Sequence, residues 1–119
     1  MTQVLLVDDY PASRRFLREV LDEIGHEFLE AQNGQEAVET FARRRPDWTI
    51  MDVEMPEMDG LVATRAICDL DPNARVIVIS QYTDTAYEVA ARDAGALAFL
   101  HKDHLLRLPE ILTAPSQAG

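Results

Sequence analysis

The stretch Val76-Ile77-Val78-Ile79-Ser80 sets four β-branched residues in a row and closes on a hydroxyl, with nothing polar interleaved. β-Branched side chains favour extended backbone. A strand with one wet face would alternate apolar and polar residues, so an unbroken run reads as a strand covered on both faces, as in a parallel sheet flanked by helices. The same pattern opens the chain at Val4-Leu5-Leu6-Val7 and returns at Trp48-Thr49-Ile50-Met51, with shorter strand-like runs at Phe28-Leu29 and Ala98-Phe99-Leu100.

Helical periodicity fills the intervals. Phe16, Leu17, Val20, Leu21 and Ile24 recur at helical spacing, and Gly25 stands where such a helix would end in the left-handed conformation. Asn33 followed by Glu36 resembles a capping box ahead of the stripe Ala37, Val38, Phe41. A third helix is expected over about 60–69, stopped by the turn Asp71-Pro72-Asn73, and a fourth over about 84–94, ended by Gly95. Strict alternation of this kind predicts an α/β fold, a doubly wound five-stranded parallel sheet with right-handed crossovers. Pro109 can start a last helix at Glu110, but Pro115 and the tail Ser116-Gln117-Ala118-Gly119 leave it short or truncated.

At 119 residues the expectation is one domain over 1–113, with 114–119 a flexible tail or the start of a linker. Eleven Lys and Arg stand against 21 Asp and Glu, a net charge of −10, which argues against direct nucleic-acid binding. With 47% apolar and 27% charged residues, the composition is that of a globular domain rather than a disordered acidic segment. No apolar run approaches the ~20 residues of a membrane span and no signal core precedes the first strand, so no membrane partner and a cytoplasmic location are expected. A single cysteine, Cys68, excludes an internal disulfide, and His26, His101 and His104 lack the spacing of a zinc hydrolase site.

Chemistry in an open parallel sheet gathers at the carboxyl ends of the strands. Asp8 and Asp9 follow the first strand, Asp52 the third, Ser80 the fourth and Lys102 the fifth. Three carboxylates on one edge repel unless a cation neutralises them. An all-oxygen set suits a hard ion, Mg²⁺, rather than zinc or copper. With a divalent ion and a lysine at hand, one carboxylate can act as nucleophile toward a phosphoryl group, with Ser80 hydrogen-bonding a phosphoryl oxygen; spacing alone does not say which Asp is attacked.

The run Asp52-Val53-Glu54-Met55-Pro56-Glu57-Met58-Asp59-Gly60 resembles the phosphorylation loop of two-component response-regulator receiver domains of the chemotaxis-regulator kind. Asp8-Asp9, the strand ending in Ser80, and Gly95-Ala96-Leu97-Ala98-Phe99-Leu100-His101-Lys102 match the family's other motifs in order, over about residues 3 to 108. The resemblance implies a flavodoxin-like (βα)5 domain with strand order 2-1-3-4-5. It implies that Asp52 receives a phosphoryl group from a histidine kinase or histidine phosphotransfer protein. Asp8, Asp9, Asp52 and the backbone carbonyl of Glu54 would hold Mg²⁺, Lys102 would contact the phosphoryl oxygens, and Ser80 and Phe99 would form the switch. It further implies a phosphoprotein, not a conventional enzyme, acting in phosphorelay signal transduction on a downstream protein target or fused output domain, with a phosphorylation-dependent homodimer as one assembly.

This chain departs from the family's pattern in several places. Gln81 follows Ser80 where a small residue is more usual, and its bulk restricts access to the phosphoryl group or hydrogen-bonds near it. Glu54 and Tyr82 stand at positions that tune dephosphorylation, where a carboxylate either orients or repels an attacking water. Asp103 replaces a frequent proline after Lys102, so no cis peptide is expected there. Arg43-Arg44-Arg45 reads as a solvated cationic end to the second helix. Met55, Pro56 and Met58 read as loop packing, Cys68 as a small buried apolar residue, and Phe41 and Trp48 as core. A magnesium-dependent aspartyl-phosphate hydrolase is the alternative, but there is no second Asp two residues after Asp52 and no cap domain. A mononucleotide module would need a Gly-rich loop after the first strand, which this sequence lacks.

Overall fold

A computed structural model describes residues 2–55, 58–82 and 84–114. The strands are β1 (Gln3–Val7), β2 (Glu27–Ala31), β3 (Trp48–Asp52), β4 (Val76–Ser80) and β5 (Ala98–His101). The helices are α1 (Pro11–Val20), α2 (Gly34–Arg44), α3 (Gly60–Leu70), α4 (Thr85–Asp93) and α5 (Leu108–Thr113), with a 3₁₀ segment, Lys102–Arg107, kinked at His104. All five strands pair in parallel in the order β2-β1-β3-β4-β5. Both the fold class and the short fifth helix agree with the sequence reading.

Burial follows from position in that order. β3 and β4 lie inside the sheet and every residue of each is buried, whereas β2, at an edge, exposes Glu27 and Glu30. Side chains alternate across the sheet and so divide into two cores. Leu5, Val7, Met51, Val76 and Val78 meet Ala37 and Phe41 of α2, Ala63 and Ile67 of α3, and Ala91 of α4. Val4, Leu6, Ile50, Ile77 and Ile79 meet Leu17 and Leu21 on one side and Leu105, Leu108 and Leu112 on the other. Each such fully buried Leu, Ile or Val is worth roughly 1.5–3 kcal/mol.

The helix ends correct two expectations. α1 stops at Val20, and Gly25 is not left-handed; the chain leaves the helix through a turn in which the Ile24 and Gly25 N–H groups both donate to the Leu21 carbonyl. Gly25 instead makes room for the Phe28 ring, which a side chain at that position would strike. Cys68 is half-buried rather than buried, its thiol 3.5 Å from the Gly95 carbonyl, and burial pushes its pKa up. Elsewhere the readings hold. Asn33 caps α2 by accepting from the Glu36 N–H at 2.8 Å, and Gly95 follows α4 with φ +109°. Trp48 and Phe41 are buried, and Met55 and Met58 pack against the core; Pro56 and 115–119 lie outside the described residues. Arg45 ends α2 in the left-handed region at φ 46°, its guanidinium over the Phe41 ring.

Candidate functional site

Register assembles the site. Val7 pairs with Met51, so Asp8 leaves β1 level with Asp52 at the end of β3. Asp52 pairs with Ile79 and Ser80 with His101, which brings Ser80 and Lys102 to the same edge. The five residues singled out from strand ends therefore do converge. Asp8, Asp9 and Asp52 each offer a carboxylate oxygen within 4.8 Å of the others.

Each side chain is held by its surroundings. Asp8 is fully buried; its Oδ1 accepts from the Tyr10 N–H at 2.9 Å, and Arg14 donates to the Asp8 carbonyl and to Glu30, both at 2.7 Å. Asp52 is 1% exposed, and Lys102 Nζ lies 3.2 Å from its Oδ1 and 3.9 Å from Asp8 Oδ2. Gly60 starts α3 hard against the Asp52–Val53 backbone, where a side-chain carbon would collide with the Asp52 carbonyl oxygen; its N–H donates to the Val53 carbonyl at 3.1 Å. Asp59 caps α3 by accepting from the Leu61 and Val62 N–H groups.

The electrostatics follow from burial. Burial above all, then the facing Glu54 carboxyl and the Asp8 charge, pushes the Asp52 pKa up to about 7 against the pull of Lys102. Burial likewise raises Asp8, opposed by the Tyr10 N–H and by Lys102. Burial also works to raise Glu54, but bonds from the Asp52 carboxyl, its own backbone, Ser80 and Gln81 outweigh it, so Glu54 is held below the usual range. Burial works to lower Lys102, and Asp52, Asp8 and Glu54 together outweigh it and keep the ammonium charged.

The donor set fits a hard divalent cation. Asp8 Oδ2 is buried with no hydrogen-bond partner, an arrangement that a hard cation relieves and that a neutral pocket would not sustain.

The model of the response regulator receiver domain family matches residues 4–113. The chain belongs to that family. As a receiver domain it is 42% identical over 101 residues to the chemotaxis protein CheY of Thermotoga maritima, covering 84% of each chain. It is also 42% identical to protein-glutamate methylesterase/protein-glutamine glutaminase 3 of Hahella chejuensis, over 83% of this chain but 29% of that protein. Among solved structures, the response regulator TrrA of Thermotoga maritima, in complex with Mg²⁺-BeF, superposes with a TM-score of 0.84 at 31% identity, covering 94% of this chain and 96% of that one.

The sequence reading missed what the receiver does with Glu54. Its backbone carbonyl was expected on the metal and its carboxylate near an attacking water, but not the bonds that its side chain makes on turning in: Ser80 Oγ donates to Glu54 Oε1 at 3.1 Å, and the Gln81 N–H points to the same oxygen at 3.4 Å. Also missed were Arg14, beneath Asp8, and His101. His101 Nδ1 accepts from the Asp103 N–H at 3.1 Å, so Nε2 carries the hydrogen donated to the Gln81 carbonyl at 2.8 Å. No cis peptide occurs among the described residues, Asp103 included. Phe99 stands beside Val78, half-buried against the α2–α4 side of the sheet.

Proposed function

We propose that this receiver domain is a phospho-acceptor switch in which Asp52 takes a phosphoryl group from a histidine kinase or histidine phosphotransfer protein, with Mg²⁺ as cofactor. The observation that carries the reading is the ion pair of Lys102 with a buried Asp52, at 3.2 Å, inside a cluster of three carboxylates. Asp8, Asp9, Asp52 and the Glu54 backbone carbonyl would hold the ion. Mg²⁺ supplies, when bound, the positive charge that keeps Asp52 ionised among like charges and offsets charge on the transferring oxygens.

The remaining work falls to the chain. An Asp52 carboxylate oxygen attacks phosphorus in line; the O–P bond forms as the bond from phosphorus to the donor's imidazole nitrogen breaks, and the imidazole leaves with that electron pair. Lys102 already lies against the attacking carboxylate and follows the new oxygens as they arrive. Ser80 donates its hydroxyl to one of them, and Phe99 turns into the space this opens, so that the chemical event is read as a change of surface. Residues 1–113 are the functional unit, acting in the cytoplasm on a downstream protein or a fused output domain, with homodimerisation on phosphorylation as one outcome.

Incubation with Mg²⁺ and acetyl phosphate should label the protein on an acid-stable, hydroxylamine-labile acyl phosphate. Labelling that persists unchanged in Asp52→Asn removes Asp52 from the acceptor role. Turnover of diverse phosphate esters that survives Lys102→Ala favours the hydrolase instead.

A further inference from the structure

A hydroxyl carries one hydrogen, and a backbone amide carries one. Ser80 Oγ accepts from the Tyr82 N–H at 2.9 Å, which takes up one of its two lone pairs, and spends its only hydrogen on Glu54 Oε1 at 3.1 Å. The Gln81 N–H points to that same oxygen at 3.4 Å. Both donors on the β4 side of the site are thus aimed at a carboxylate that the chain itself provides. The second Glu54 oxygen, Oε2, is buried and bonds to none of these donors, while the carboxyl as a whole also faces Asp52.

We infer that Glu54 is an internal occupant of the phosphoryl seat: in the resting protein its carboxylate takes the Ser80 hydroxyl and the Gln81 amide, and it must swing out before those groups can hold a phosphoryl oxygen. This rests on Asp52 as acceptor. A carboxylate is an adequate stand-in, since it offers planar anionic oxygens to the same donors that an acyl phosphate would use. The occupant has two consequences. The Ser80 hydroxyl is already committed to Glu54 before any phosphoryl group arrives, and the gain from phosphorylation is lowered by the bonds Glu54 gives up. Glu54 is therefore a positioning residue that sets how strongly the site holds a phosphoryl group, separate from its backbone carbonyl.

The test is beryllofluoride binding with Mg²⁺, followed through the Gln81 and Tyr82 amide resonances in wild type, Glu54→Ala and Glu54→Asp. The shorter Asp keeps the charge but cannot reach Ser80, so it separates occupation from simple repulsion. Both variants should bind about tenfold more tightly, equivalent to 1.4 kcal/mol. In the beryllofluoride-free state both should already show a displaced Gln81 amide resonance and faster exchange of its hydrogen with solvent. Wild-type affinity in Glu54→Asp, or an unmoved Gln81 amide in Glu54→Ala, overturns the inference and leaves the acceptor reading standing. Failure of all three proteins to bind beryllofluoride overturns the acceptor reading itself, and the inference with it.

Discussion

Lys102 Nζ sits 3.2 Å from Asp52 Oδ1 and 3.9 Å from Asp8 Oδ2, so one ammonium on the chain after β5 answers carboxylates delivered by β3 and β1. The contact links the ends of three strands through charge and, at Asp52, a side-chain hydrogen bond. Removing it in Lys102→Ala should leave the carboxylates facing one another. We expect acetyl-phosphate labelling of Asp52 to slow by about a hundredfold, the scale for loss of one transition-state donor. In chelator, the midpoint of urea unfolding at pH 7.5 should fall, by about 1–2 kcal/mol in stability. Equal labelling rates in the two proteins would remove Lys102 from the reaction.

The pH dependence of stability follows from Asp52 and Asp8. The folded-state pKa of Asp52 is pushed up to about 7 from an ordinary 3.8, and that of Asp8 is raised as well. The folded state thus binds these protons more tightly than the unfolded chain does, and stability must fall as pH rises through the interval between the two values. Glu54 is shifted downward, so its opposing effect belongs below its ordinary 4.5. With chelator present, the melting temperature should drop between pH 5.5 and 8, by about 4 °C for each ~1 kcal/mol lost in a domain of this length. Asp52→Asn should flatten that slope and be the more stable protein at pH 8. A melting temperature that rises over the same interval contradicts the assignment.

His101 fastens the end of β5 to the loop after β4 through its bond to the Gln81 carbonyl, while its other nitrogen caps the 3₁₀ segment at Asp103. His101→Ala should cost about 1 kcal/mol, as expected for hydrogen bonds of this kind. Amide exchange should quicken at Tyr82 and Asp103 and stay unchanged in β1, which shares no bond with the ring. Uniform acceleration across the sheet would mean that the residue serves general stability and not this junction.

Gly60→Ala places a carbon against the Asp52 carbonyl oxygen, and backbone cannot yield as a flexible side chain would. A loss of roughly 2–3 kcal/mol is expected, as for overpacking a close contact. The Asp52 amide resonance should shift with it. A variant of wild-type stability would show that α3 does not press on β3 as closely as described.

How much of this was legible in the sequence depends on what each residue answers to. β4 was readable because Val76–Ile79 is apolar throughout and buried throughout, so composition and environment say the same thing. The convergence of Asp8, Asp9, Asp52, Ser80 and Lys102 was readable because a parallel sheet puts all strand ends on one edge. Gly25 was misread, since a glycine after an apolar stripe suits either a left-handed cap or a close neighbour, and only the Phe28 ring decides between them. Arg45 gave no signal at all, because an arginine has no preference of its own for the left-handed region it occupies. The inward turn of Glu54 was hidden for a similar reason: a loop side chain goes where donors are, and its donors lie 26 and 27 residues away along the chain.

The close seat of Gly60 on Asp52 gives the site an unequal stiffness. On one flank, backbone bears directly on backbone and behaves like an anvil. On the other, the segment Gln81–Tyr82 is held by single hydrogen bonds to Glu54, Ser80 and His101. If Asp52 is the acceptor, as proposed, a bulky charge added there should displace the Gln81–Tyr82 flank rather than the Gly60 flank.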